Sequence, residues 1–168
     1  MMTVPEPAST MERTSLREAM SLFATGVTVL TVGGEHVHGM TANAFTSVSL
    51  DPPLVLCCVA RSAVMHGAIS ETGRFAVSIM GADQRETARY FADKRRPLGA
   101  AQFDAVDWLA GPHSGAPLLH GALAWLECWL VHRYEGGDHT IFVGRVLDCR
   151  RGAGAGALLF YGSAFHEV

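Results

Sequence analysis

The chain has 168 residues, of which 49% are hydrophobic and 17% charged, and a formal net charge of -3. Length and apolar content together predict one domain with a sizeable core and exclude a chain disordered throughout. The acidic balance argues against nucleic acid as the main partner, because only Lys94-Arg95-Arg96 masses basic side chains.

Residues 1–13 hold Pro5 and Pro7 among small polar residues and read as a disordered tail, leaving 14–168 as a single domain. Met1 to Arg13 lacks the apolar core of a secretory signal, and no segment is long and apolar enough to span a membrane, so a cytoplasmic location is expected. Ser15-x-x-Glu18 is a capping box. Leu16, Ala19, Met20 and Phe23 follow at helical spacing, which predicts a short helix covering the core up to Gly26. Residues 27–32 are rich in β-branched side chains and predict a strand, and Gly33-Gly34 predicts a hairpin turn into 36–40.

The stretch Gly39-Met40-Thr41-Ala42-Asn43-Ala44-Phe45-Thr46-Ser47-Val48-Ser49-Leu50 sorts by parity when read as one strand. Thr41, Asn43, Phe45, Ser47 and Ser49 fall on one face, and Ala42, Ala44, Val48 and Leu50 on the other, with Thr46 the polar exception there. A row of small polar groups with one aromatic suits a flat polar ligand, although an exposed Thr/Ser-rich edge has the same pattern. Asp51-Pro52-Pro53 ends it.

Residues 54–60 form a continuous apolar run, read as a buried strand. Residues 62–71 predict a helix with Ser62 at or near its N-cap, and 74–80 another strand. Asp83-x-x-Glu86 is a second capping box, opening a helix to about Ala92. A loop over 93–107 leads to a short strand near Trp108 and then to strands at 118–134 and 140–149 joined by Glu135-Gly136-Gly137-Asp138. After a Gly/Ala loop, 158–165 predicts a last strand. Many strands and few helices, without regular alternation, predict a mainly β fold of the antiparallel barrel type. Cys57, Cys58, Cys128 and Cys149 include no Cys-x-x-Cys pair and read as small buried hydrophobes in a reducing compartment. His36-x-His38 lacks further ligands for a metal, and none is expected.

Thr41-Ala42-Asn43-Ala44-Phe45-Thr46-Ser47-Val48-Ser49-Leu50-Asp51-Pro52-Pro53-Leu54-Val55 resembles the flavin-binding signature of the short-chain flavin reductases, the reductase components of two-component flavin monooxygenases. Gly137-Asp138-His139-Thr140-Ile141-Phe142-Val143-Gly144-Arg145-Val146 resembles a second segment of the same family, in the family's order. The resemblance runs from about Leu16 to Phe165. It implies a split β-barrel of the FMN-binding, Greek-key type with a few short helices. It also implies a homodimer with flavin near the subunit interface. The implied activity is reduction of free FAD or FMN by NADH or NADPH, with reduced flavin passing to a partner monooxygenase. FAD and NADH are favoured.

The resemblance places flavin contacts at Met40, Thr41, Ala42, Asn43, Ala44, Ser47, Val48 and Ser49. Ala44 stands where many members have Ser. Ser62 and His66 at a helix start, and Arg95 and Arg96 in the basic run, are further candidates by the chemistry of phosphate binding. Asp138 and His139 match a segment that contacts the nicotinamide, and His139 is expected to position it. Tyr161 is expected near the same pocket. A non-catalytic flavin-binding sensor and an oxidase of the pyridoxamine-phosphate type are the rival readings, since one fold carries several functions.

Overall fold

The computed structural model describes residues 14–168, and the expected tail at 1–13 lies outside the described residues. The chain begins with α1 (Leu16–Ser21), β1 (Thr25–Gly26), β2 (Thr28–Val32), β3 (His38–Ala42), β4 (Phe45–Leu50) and β5 (Pro53–Ala60). It continues through α2 (Val64–Thr72), β6 (Arg74–Ile79) and α3 (Arg85–Ala92). The second half is β7 (Trp108–Ala110), β8 (Pro117–Leu119), β9 (Ala124–Gly136), β10 (His139–Arg151), β11 (Leu158–Tyr161) and β12 (Ala164–Glu167).

Seven strands form one antiparallel sheet in the order β3-β2-β6-β9-β10-β5-β4. Its two edge strands, β3 and β4, are consecutive in the chain, separated only by Asn43 and Ala44. A flat sheet of this width would hold its edges roughly 29 Å apart. A two-residue link spans roughly 10 Å at most. The sheet therefore has to curl until its edges nearly meet, leaving a split between β3 and β4. A hydrogen bond from the Cys58 N–H to the Ala44 carbonyl, 3.0 Å, ties the link to β5. This is the split barrel that the resemblance implies.

The parity reading of the signature is corrected by this break. Residues 39–50 are two strands with different partners, β3 on β2 and β4 on β5. Within β4 the register slips between Ser47 and Ser49, so Val48 bulges outward and is 50% exposed rather than packed. Alternation holds only while one partner and one register are kept.

The barrel interior is filled by Leu30, Val32, Val55, Cys57, Val59, Phe75, Val77, Cys128 and Phe142. Met65, Ala68 and Ile69 of α2 join the same cluster. A second cluster holds Val27, Val29 and Met80 together with Ala88 and Phe91 of α3, Phe103 and Leu158. Gly39 is required here, because a Cβ on it would lie 2.6 Å from the Phe91 ring. A three-stranded sheet, β1-β11-β12, flanks the barrel.

Several elements differ from expectation. The helix at the start stops at Ser21, and Leu16, Met20 and Phe23 are 78%, 53% and 66% exposed instead of covering the core. The link between β2 and β3 contains a 3-10 turn at Gly34–His36 rather than a tight hairpin. The N-cap of α2 is Ala63, with Ser62 next to it as expected. Gln84, not Asp83, closes the start of α3: its Oε1 accepts from the Gly81 N–H at 3.0 Å and its Nε2 donates to the His120 carbonyl at 2.9 Å. Residues 99–103 are a 3-10 helix within the expected loop. The region 118–134 divides into β8 and β9, and 158–165 into the hairpin β11–β12 around Gly162 and Ser163, both at positive φ. All four cysteines are free thiols. Cys57 and Cys128 are buried, which pushes both up to about 12, whereas Cys149 is exposed.

Candidate active site

A cavity of about 440 Å3 opens where β3 turns into the Asn43-Ala44 link. Its wall brings together Met40, Thr41, Ala42, Asn43 and Ala44 from the signature, Ser62 at the start of α2, Lys94 and Arg96 after α3, and His139 at the start of β10. The small side chains of Ala42, Ala44, Ala60 and Ala63 leave room for a flat ring against backbone. Asn43 and Ala44 are exposed; their carbonyls accept from the Phe45 and Cys58 N–H groups at 2.9 and 3.0 Å, which leaves the Asn43 side-chain amide for a ligand.

The backbone of β3 is aimed at this space. Gly39 directs its N–H to Gln102 Oε1 at 2.8 Å and its carbonyl to Arg96, away from β2. The two-residue period of an edge strand turns the Thr41 N–H and carbonyl the same way. The Thr41 hydroxyl is already used, donating to the Ala88 carbonyl at 2.7 Å and fixing β3 on α3. Thr41 thus offers backbone rather than its hydroxyl proton.

His139 enters from the far side. Its Nδ1 lies 2.7 Å from Asp138 Oδ1. The His139 ring beside Asp138 holds that carboxyl below its ordinary value, so the pair is a carboxylate accepting from Nδ1–H. Nε2 has no hydrogen-bond partner among the described residues, and the His139 ring lines the cavity. Asp138 itself is exposed and does not line the wall.

The α2 helix starts at the cavity, with Ala63 and Val64 on its wall. No side chain caps that helix end. Its free N–H groups and positive end favour an anion. Ser62 sits just before it and does not cap it.

Arg95 and Arg96 are separated by their contacts. Arg95 turns to solvent, its Nε 3.1 Å from Asp93 Oδ1, and lines a second depression, which Arg96 also borders, but not the cavity. Arg96 turns inward. Its Nη2 donates to the Gly39 carbonyl and to His38 Nε2, the latter at 3.2 Å, and its Nη1 donates to the Asp93 carbonyl at 2.8 Å. His38 is 4% exposed, and burial first, then Arg96, lowers its pKa to about 4.

The remaining candidates do not line this cavity. Ser47, Val48 and Ser49 continue along β4 beyond it. His66 bonds Thr140 Oγ1 at 2.8 Å and faces a separate depression with Arg61 and Arg133. Tyr161 lies in the three-stranded sheet, its ring 6.1 Å from that of His166, and Phe160 packs on Phe165.

Sequence reasoning missed His38, Cys58, Ala60, Phe91 and Leu98, which also line the wall. Two of these had a signal. In β5, Val55, Cys57 and Val59 are buried in the barrel, so Cys58 and Ala60 belong to the opposite face. Burial raises the Cys58 thiol, which therefore meets the cavity protonated.

A family model for the flavin reductase like domain matches residues 20–168, and the chain belongs to that family. It is 54% identical over 156 residues to an NADH-dependent FAD reductase of Streptomyces globisporus, covering 93% of this chain and 86% of that protein. Among solved structures it is similar to BorF, the flavin reductase component of a bacterial two-component tryptophan halogenase. The TM-score is 0.88 at 52% identity, covering 91% of this chain and 96% of BorF. It is also similar to the NADH:FAD oxidoreductase SgcE6 of Streptomyces globisporus C-1027, solved in complex with NAD and FAD fragments. There the TM-score is 0.85 at 52% identity, covering 91% and 90% of the two chains.

Proposed function

We propose that this protein is an NADH-dependent flavin reductase that takes flavin as a diffusing substrate, preferably FAD, and releases it reduced to a separate monooxygenase. The observation that carries this reading is the single cavity wall shared by the Asn43-Ala44 link, the α2 end and His139. A flavin needs donors at one ring edge, an apolar wall and a cation or helix end for its phosphate. The outward backbone of β3, the alanines, and Arg96 or the α2 end offer these in turn.

The reaction moves a hydride from C4 of the nicotinamide to N5 of the flavin, with one proton taken from water. The protein's part is to hold the two rings in contact, about 3–3.5 Å apart, and to keep their orientation. His139 is the residue assigned to the nicotinamide. With Nδ1 held by Asp138, Nε2 is the ring nitrogen left to meet the carboxamide. No side-chain acid is required for hydride transfer itself.

Homodimerisation belongs to the same proposal. Leu16, Met20 and Phe23 of the first segment, Val48 and Leu50 of β4, and Trp129 and Leu147 of β9 and β10 are all exposed apolar side chains. Apolar surface on this scale favours burial against another chain. Among the described residues no helix is long and apolar enough to cross a membrane. Free thiols fit a reducing, cytoplasmic setting.

Initial rates of NADH and NADPH oxidation, with FAD and FMN each titrated, test the reading. Saturable turnover that depends on added flavin is expected. Flavin binding without turnover for any pair would overturn it.

A further inference from the structure

We propose that His38 and Gln102 are positioning residues that hold the Arg96 guanidinium against the cavity as a preorganised receptor for the flavin's phosphate. This rests on the flavin reading of the cavity. It adds which cation meets the phosphate and what keeps that cation in place.

Arg96 commits three of its N–H groups to the protein, at Asp93, His38 and Gly39. Its Nε is buried and has no partner among the described residues. A guanidinium carries five N–H donors in one plane. Three fixed bonds lock that plane, and the donors left over share its orientation. An arginine held this way loses little freedom on meeting an oxyanion.

The lock needs a neutral acceptor, because a carboxylate there would neutralise the cation. His38 supplies one. Arg96 can only donate, so Nε2 of His38 carries the lone pair. Gln102 acts through Gly39 rather than through the ring: its Oε1 accepts from the N–H of Gly39, whose carbonyl takes Arg96, whereas its Nε2, 3.3 Å from His38 Nδ1, faces another donor and makes no bond there. The Gln102 amide is itself fixed by the Gly39 N–H at 2.8 Å and the Gly99 carbonyl at 2.8 Å. Tyr90 closes the set by donating to the Gln102 carbonyl at 2.8 Å. His38 and Arg96 both line the cavity, whereas Gln102 is buried behind them.

The test compares FMN with riboflavin, which lacks the phosphate, by quenching of flavin fluorescence in the intact protein. The readout is the ratio of the two dissociation constants, which a general loss of structure would not move selectively. Arg96→Ala is expected to reduce the preference for FMN by about 10-fold or more, as for loss of a charge-assisted bond. His38→Leu removes the acceptor and is expected to reduce it by roughly 5-fold, while His38→Gln, which keeps an acceptor, retains most of it. Should His38→Leu fail to fold, Arg96→Lys replaces it, since an ammonium cannot reproduce the planar fork, and the preference must again fall. A normal preference in folded His38→Leu or Arg96→Lys, with the loss present in Arg96→Ala, overturns the positioning role and leaves Arg96 as the phosphate ligand. A normal preference in Arg96→Ala overturns the proposal altogether and moves the phosphate to the α2 end. Failure of the wild-type protein to bind either flavin would overturn the flavin reading beneath it.

Discussion

Asp138 Oδ1 meets His139 Nδ1 at 2.7 Å, and only the histidine of this pair reaches the cavity. That contact occupies Nδ1 and leaves Nε2 without a partner among the described residues. His139→Ala is therefore expected to raise KM for NADH by about 10-fold, with KM for flavin changed less than about 2-fold, matching loss of one oriented polar contact. Steady-state kinetics with each substrate varied in turn check this. An unaltered KM for NADH together with an unaltered kcat would remove His139 from the site.

Arg95 and Arg96 are neighbours with opposite fates. Arg95 is bound to Asp93 and faces solvent. Arg95→Ala is expected to leave KM for flavin within about 2-fold of wild type, as for an exposed ion pair. A large rise in KM for Arg95→Ala would mean that the basic loop rearranges on binding.

His38 makes stability depend on pH. The folded state keeps it neutral down to about 4, whereas the unfolded chain protonates it near 6.5. Between those values the unfolded state holds the extra proton, so stability falls as pH falls from 6.5 to 4. The loss at the acid end is about 3 kcal/mol by linkage. Asp93 and Asp138, whose carboxyls are held below their ordinary values, add a loss of the same sign only under pH 3.8. Urea unfolding at pH 4.5 and 7.5 should show the difference in wild type and a smaller one in His38→Gln.

Glu127 is a buried carboxylate whose Oε2 accepts from the His113 and Ser114 N–H groups and the Ser114 hydroxyl at 2.9, 2.7 and 2.7 Å. Glu127→Ala strands these donors and is expected to destabilise the fold by about 3 kcal/mol. Thermal unfolding reads it, and flavin affinity at a temperature where the variant is folded should not change.

The sequence made some of this legible and hid the rest for physical reasons. Arg74–Ile79 and Pro53–Ala60 stand within a residue of expectation, because β-branched apolar runs have few alternatives. The Ser15 and Glu18 capping box is present because its partners are local. The break at Asn43 and Ala44 could not be seen by parity, since it depends on which strands the two halves pair with. The lining by Ala42, Asn43 and His139 followed from the resemblance rather than from pattern, and that by Ser62 from its place at a helix start. In the sequence His38 stands out only as half of His36-x-His38, because Arg96, which gives it a role, lies 58 residues away. The apolar stripe of α1 faces outward, because periodicity marks a face without saying what covers it.

The contact of β3 with α3 has a longer reach than packing. Thr41 bonds Ala88 across 47 residues of chain, and Gly39 leaves no space beside Phe91 for even one more carbon. The two segments therefore cannot drift independently over generations of descendants. A bulkier residue at Gly39 is admissible only where Phe91 has already shrunk, so substitution histories at the two positions should be correlated. The cavity's outline is inherited as a matched pair of segments.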